Sequence, residues 1–417
     1  MAKLTDRFPA ELVYKIIDQT APGIGRQKTS SSKEGLPSNT LVSLSLVSRI
    51  FRQCAQERLF RDVILDSPWK AYLFISVLTG SRAECQAQEV YGEIDFPCLN
   101  KLAQHVRSLQ FRWPGHPICT MGRGGGSAIC EIIRACPLLE SISIGATFFR
   151  RCKQPIIEAL ASRKFIKEFA LLQNPTDGVN IVFQWTLDDM VAQLFSKWDM
   201  LEALELEELS SQPVDMIESI PKPIPVFNCA LRKLKLRKPN LDESELYLLL
   251  KNSRETIRKL SIDNPSSKIQ RPGLFRILKE CIGPDLESLS IYVEPDWHHL
   301  YFQRNADLED PAQNPSMLDI LFKSSFRKIK FLRIRGPLAS SKLLELLPET
   351  IVDLRWGQCD YGAACFAAKL FTWRNNKDNL SPPPGPPPGF EDRGPWLPNL
   401  EKFHISDAMF MYKVSNI

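Results

Sequence analysis

The chain has 417 residues, 44% of them hydrophobic and 24% charged, with a formal net charge of +5. That length suits two or three domains or one long solenoid, and that composition allows a sizeable core. The small, dispersed charge lacks the dense basic stripe of a nucleic-acid binder. No stretch approaches eighteen uninterrupted apolar residues, so no membrane span is expected.

The charge is uneven. Residues 1–65 hold ten Lys/Arg against six Asp/Glu, and the remaining 352 hold 43 against 42. A basic first segment favours an acidic partner, or is simply a solvated surface. The eleven cysteines contain no CxxC pair, and Cys54, Cys130 and Cys136 sit inside apolar helical patterns. Reduced, buried thiols are expected, which suits the cytoplasm or nucleus. The opening MAKLTDRFPAEL has no signal-peptide apolar run.

The first predicted helix follows Arg7. Pro9 suits its first position, and Leu12 with Ile16 and Val13 with Ile17 are i, i+4 pairs, so one face is apolar. Thr40–Leu44 makes one short helical turn. Leu46, Val47, Ile50, Phe51, Cys54, Ala55 and Leu59 then recur at spacings of three and four, the mark of another helix.

Three short helices in this order resemble the F-box. The matching residues are Phe8-Pro9-Ala10-Glu11-Leu12, Ile16-Ile17, Leu44-Ser45-Leu46-Val47-Ser48-Arg49, Phe51-Arg52 and Leu59-Phe60. The family usually joins its first two helices by a short loop. Here residues 20–39 intervene, rich in Ser, Gly, Pro and Lys, an insertion that adds little closure entropy per residue. The resemblance implies a module over 1–65 that docks a Skp-family adaptor and, through it, a cullin. Carried over from the motif, the adaptor-binding candidates are Phe8, Pro9, Leu12, Ile16, Leu44, Val47 and Phe51. Some of these must instead form the module's own core.

From Asp66 onward, a unit of the form apolar-x-x-apolar-x-apolar recurs ten times: VRSLQF, LESISI, IKEFAL, LEALEL, LRKLKL, IRKLSI, LESLSI, IKFLRI, IVDLRW and LEKFHI. Most units are followed by an amphipathic helical pattern, as at 127–135, 154–161, 188–195, 243–251, 274–281 and 342–347. Strand, turn, helix, strand at this spacing resembles the leucine-rich repeat, whose units bury their apolar faces only by stacking. Successive units are 33, 27, 35, 30, 26, 29, 43, 22 and 49 residues apart, and the expected Asn or Cys after each appears only as Asn174 and Cys359. The expected fold is therefore α/β: three N-terminal helices, then an irregular solenoid over 66–417, parallel strands on its concave face and helices outside. A mixed α/β domain with a parallel sheet is the alternative. Leu204, Leu234, Leu260, Leu289 and Leu332 hold the same place in successive units and are expected in one core.

Two insertions interrupt the solenoid. Residues 294–316 carry Trp297, His298, His299, Tyr301 and Phe302 and then acids. Residues 375–398 carry PPPGPPPG, a polyproline linker or a ligand for an aromatic groove. Chemistry is otherwise sparse. Gly122–Ser127 lacks the Lys-Ser/Thr pair of a nucleotide loop, and adjacent histidines such as His298 and His299 do not share a helix face for a metal. Lys28–Lys33 is a serine-rich run open to phosphorylation. No catalytic residue, metal or cofactor is expected.

Strand alternation predicts which side chains line the concave face. Glu205 with Lys235, and Glu207 with Arg237 and Asp263, can neutralise each other. Later, Arg333, Arg335, Arg355, Lys402 and His404 have only Asp353 among them. This end is the expected substrate-binding region, for an acidic or phosphorylated protein segment, unless Asp307, Glu309 and Asp310 fold back onto it. The resemblances together imply a substrate receptor of a Skp–cullin–F-box type ubiquitin ligase, with a non-degradative repeat scaffold as the alternative.

Overall fold

The structure is a computed structural model that describes residues 9–20, 38–79, 101–112, 126–145, 149–172, 186–209, 229–294, 297, 317–336, 338–359, 364–370 and 396–407. The chain divides into two compact units, Met1–Phe183 and Gln184–Ile417. Each pairs its strands in parallel and alternates them with helices.

The first unit opens with α1 (Ala10–Thr20), α2 (Ser38–Ser45) and α3 (Arg49–Arg61). The Pro9 carbonyl, one residue ahead of α1, accepts from the Leu12 and Val13 amides. The Ser48 hydroxyl caps α3 by accepting from the Phe51 amide at 3.3 Å, satisfying one of the free donors of the first turn. The third helix therefore starts at Arg49, and Leu46 and Val47 lie in the turn before it rather than on its apolar stripe.

α3 runs directly into β1 (Asp62–Leu65), a strand that the sequence pattern does not announce. α4 (Pro68–Thr79), β2 (Ser108–Phe111), α5 (Gly126–Ala135), β3 (Ser141–Gly145), α6 (Phe149–Ala161) and β4 (Glu168–Leu172) follow. β1 pairs β2, β2 pairs β3 and β3 pairs β4. The three N-terminal helices thus share a compact unit with the first four strands, whereas the sequence suggests a module ending at 65.

The second unit holds α7 (Leu187–Gln193), β5 (Ala203–Glu207), β6 (Lys233–Arg237), α8 (Glu243–Leu250), β7 (Lys259–Asp263), α9 (Arg271–Cys281) and β8 (Ser288–Tyr292). It continues with α10 (Met317–Ser324), β9 (Phe331–Arg335), α11 (Leu343–Leu346), β10 (Asp353–Cys359), a helix at 364–370 and β11 (Lys402–Asp407). α8 opens with a capping box, in which the Asp242 carboxylate accepts from the Glu245 amide at 2.9 Å and Glu245 accepts from the Asp242 amide at 2.8 Å. Strands β5 to β11 pair in sequence order.

All ten strand units expected from the pattern become strands, each beginning at or next to the third residue of its unit. Leu204, Leu234, Leu260, Leu289 and Leu332 are in register on adjacent parallel strands and at most 1% exposed. Successive strand starts in the second unit repeat one bond pattern. The Arg232 carbonyl accepts from the Arg258 and Lys259 amides, the Arg258 carbonyl from Glu287 and Ser288, and the Glu287 carbonyl from Lys330 and Phe331.

The strand ends repeat as well. Glu208, Lys238, Asn264, Gly336 and Gln358 occupy one register position, and all have positive φ, between 46° and 103°. Only two of these five are residues that favour the left-handed region, so the turn is a feature of the fold that composition hides. At Gly336 the glycine is required, because a Cβ there would stand 2.7 Å from the Val293 carbonyl oxygen.

Candidate functional site

Two surfaces carry the residues singled out by sequence. The first lies on the N-terminal helices. Val13 and Ile17 of α1, Leu41 of α2 and Cys54 and Ala55 of α3 form one buried cluster, with Tyr14, Leu44, Ile50, Phe51 and Leu59 packed against it. Of the adaptor-binding candidates, Leu44 and Phe51 therefore help hold the module together. Pro9, Leu12, Ile16 and Val47 face outward. Val42 and Leu46 join them, so five large apolar side chains here are between 36% and 74% exposed. Phe8 lies outside the described residues, as does most of the insertion at 20–39.

Polar ties brace α1 against α3 behind this surface. The Tyr14 hydroxyl donates to the Glu57 carboxylate, and Arg58 donates to Asp18 at 2.7 Å. Burial and the Glu57 carboxylate both raise the Tyr14 pKa, which keeps the phenol a donor. Sequence reasoning missed Val42 and Leu46 because both fit an apolar helical pattern that reads equally as core. It also missed α4, whose Trp69, Tyr72 and Leu73 are exposed, with Trp69 stacked on Tyr72 at 5.7 Å.

The second surface is the solvent-facing side of the strands in the second unit. Three rows run across it. Lys233, Lys259, Ser288, Phe331, Asp353 and Lys402 are in register, then Glu205, Lys235, Ser261, Ser290, Arg333, Arg355 and His404, then Glu207, Arg237, Asp263, Tyr292 and Arg335.

At the β5–β6 end the charges pair. Glu205 is only 7% exposed and pairs with Lys235, with Arg237 at 3.7 Å and with Lys233 at 3.9 Å. Arg237 also reaches Glu207 at 3.9 Å.

At the β9–β11 end only some do. Arg333 and Arg355 are directly opposed on neighbouring strands, about 4.8 Å apart along the sheet. Arg355 forks onto Asp353 of its own strand, through Nε and Nη2, both at 2.9 Å. Arg335 lies over the Tyr292 ring, 4.5 Å from its centroid. Arg333 and Lys402 are exposed and have no ion pair among the described residues. Lys259, Ser288, Ser290, Phe331, Arg333, Asp353 and Arg355 line a groove here of about 340 Å³. The acids at 307–310 and His298-His299 lie outside the described residues, as do Lys28–Lys33, Gly122–Gly125 and the polyproline run.

Among the described residues no group of His, Cys, Asp and Glu is arranged to hold a metal ion, and no helix is long and apolar enough to cross a membrane. The cysteines read as apolar, Cys54, Cys130 and Cys136, are buried and free. Burial pushes the Cys130 thiol up to about 11 and the Cys136 thiol up to about 12, so neither supplies a thiolate nucleophile.

No protein-family model matches the chain, and no curated protein matches it. Among solved structures it is similar to a chain in the crystal structure of the Rad7 and Elc1 complex in yeast. The identity is 12%, over 85% of this chain and 90% of that one, with a TM-score of 0.35.

Proposed function

We propose that this chain is a non-catalytic substrate receptor of a Skp–cullin–F-box type ubiquitin ligase, acting in the cytoplasm or nucleus. In this reading the N-terminal helices are an F-box that docks a Skp-family adaptor, and through it a cullin. The strands of the second unit form a leucine-rich-repeat-like surface that holds a protein substrate. The chain breaks and forms no bonds itself. Its contribution is proximity: a tethered substrate lysine reacts as if at high local concentration.

One observation carries the reading. The helices fill their own core with Val13, Ile17, Leu41, Cys54 and Ala55, yet keep Leu12, Ile16, Val42, Leu46 and Val47 exposed. Side chains of this kind are stabilised by a partner that removes them from water.

Affinity purification with mass spectrometry tests the proposal, comparing wild type with Leu12→Asp/Ile16→Asp. A point variant is preferable to a truncation, because α3 runs straight into β1. The expected result is loss of the adaptor and cullin with other partners kept. Recovery of both from the variant, or of neither from wild type, overturns the F-box reading. Partners whose ubiquitination is the same in both backgrounds would favour a scaffold instead.

A further inference from the structure

We propose that the strand face from β6 to β11 binds single-stranded nucleic acid, with its cations along the phosphates and Phe331 stacked against a base. The inference goes beyond the receptor reading and shares with it only this face. Its support is the charge, the spacing and the exposed ring that the parallel register brings together.

Along the chain the cations are spread from Lys233 to Lys402, so the sequence shows no basic run. Stacking the strands in register gathers them. The three rows across β5–β11 hold eight Lys/Arg against four Asp/Glu, and two of those acids, Glu205 and Glu207, lie on β5 at one margin. From β6 to β11 the count is eight against two. These six strands span about 24 Å, at about 4.8 Å per step. Such a strip suits a backbone that carries one negative charge per nucleotide. The repeat does not impose it, because the corresponding positions of β1–β4 hold Asp62 and Glu168 but no Lys or Arg.

The acids at the margin do not silence the strip. Glu205 is one carboxylate among three cations, Lys233, Lys235 and Arg237. Glu207 reaches Arg237 at 3.9 Å, so β5 and β6 together still carry one positive charge in excess. Further along, Lys259, Arg333 and Lys402 have no ion pair among the described residues. Arg355 uses Nε and Nη2 on Asp353, both at 2.9 Å, and keeps Nη1 as a donor. Arg333 and Arg355 are opposed on neighbouring strands, an arrangement that a shared phosphate relieves.

The rings favour bases, and bases that are unpaired. Phe331 stands in one row with Lys259 and Lys402, two residues before Arg333, and is 44% exposed. Two residues beyond Arg333, Arg335 lies over the Tyr292 ring, 4.5 Å from its centroid. It offers a second flat surface on which a base can stack. Stacking of a base on an aromatic ring is tolerant of sequence and needs the base free of a duplex. An acidic peptide would meet the charge but leave Phe331 in water.

Fluorescence anisotropy on the full chain, without adaptor, tests the site. The labelled probes are oligouridylate and oligothymidylate of about twelve nucleotides, a duplex of the same length, and an oligoglutamate of equal charge. The expected result is binding of a single strand at least about tenfold tighter than of duplex or oligoglutamate. Log affinity should fall against log salt with a slope of about −2 to −3, for about three or four phosphates engaged. Arg333→Glu/Arg335→Glu should weaken binding at least about tenfold and make the slope shallower by about one or more. Phe331→Ala should weaken the oligonucleotides at least about fivefold and leave oligoglutamate unchanged. Lys279→Glu, exposed on α9, should change nothing.

Either single strand supports the site, and the tighter of the two names its sugar. Oligoglutamate bound as tightly as the single strands overturns the proposal and assigns the face to an acidic protein. Oligonucleotide affinity untouched by Phe331→Ala overturns the commitment to bases, and tighter binding of duplex overturns the commitment to single strands. No loss in Arg333→Glu/Arg335→Glu, or an equal loss in Lys279→Glu, places the nucleic acid elsewhere. Because the binding is read without adaptor, its failure leaves adaptor docking standing, and the reverse holds too.

Discussion

The two ends of the strand face in the second unit share one architecture and differ in how their charges are settled. At β5–β6, a buried acid, Glu205, sits among Lys233, Lys235 and Arg237. At β9–β10, Arg333 faces Arg355 across the strand pair, and the nearby Asp353 is already held by Arg355. The rows beneath are buried at both ends, Leu204, Leu206, Leu234 and Leu236 at one and Leu332, Ile334, Leu354 and Trp356 at the other. The fold therefore does not dictate the surface charge. One end pairs its charges within the strand face, and at the other Arg333 has no ion pair among the described residues.

That comparison is sharpened first from the core. Leu234→Ala and Leu332→Ala should each destabilise the chain by about 2–5 kcal/mol, through lost transfer energy and a cavity. Similar losses in urea melts at both ends would show that the repeat is equally built. A loss confined to Leu234 would mean that the β9 end is not packed as part of the same core.

Two of the buried acids of this unit, Glu205 and Asp319, give the next contrast. Asp319 of α10 is 6% exposed and is held by the Ser340 amide and hydroxyl rather than by opposite charges. Burial pushes its carboxyl up to about 6. A carboxyl whose folded pKa lies above its unfolded value binds its proton more tightly when folded. Stability should therefore fall as pH rises from about 4 to about 6, by on the order of 2–3 kcal/mol, with no further change from this group above that window. Asp319→Asn should remove the slope. An unchanged slope in pH-dependent thermal melts would place its cause elsewhere.

Glu205→Gln should cost about 2 kcal/mol, less than breaking a fully buried pair because Lys235 and Arg237 keep access to water. Arg333→Gln should change stability by no more than about 0.5 kcal/mol, in either direction. If both substitutions cost the same, the two ends are not different in the way described.

Most of the repeat was legible in the sequence, because strand alternation places every second residue in the core and the register follows from Leu204 to Leu332. Three features were not. β1 is only four residues, directly continuous with α3, so no turn marks it. α4 is apolar around much of its circumference, which weakens a 3.6-residue pattern. The left-handed turns at Glu208, Lys238 and Gln358 use residues that do not announce such a conformation.

On the N-terminal helices, the motif names residue types in order but does not separate core from surface. Leu44 and Phe51 turn inward while Leu12, Ile16 and Val47 do not. That depends on the phase of each helix, and the phase of α3 is set by its cap at Ser48.

The most direct test of the receptor account is the affinity of the purified chain for a purified Skp-family adaptor, by isothermal titration, for wild type and for Leu12→Asp/Ile16→Asp. Both side chains are exposed, so circular dichroism of the variant should match wild type. The account predicts a stable complex for wild type and a loss of at least about thirtyfold in the variant, the effect of charging a central apolar contact of about 2 kcal/mol. Equal affinity of the two proteins, or no complex with wild type, would contradict it.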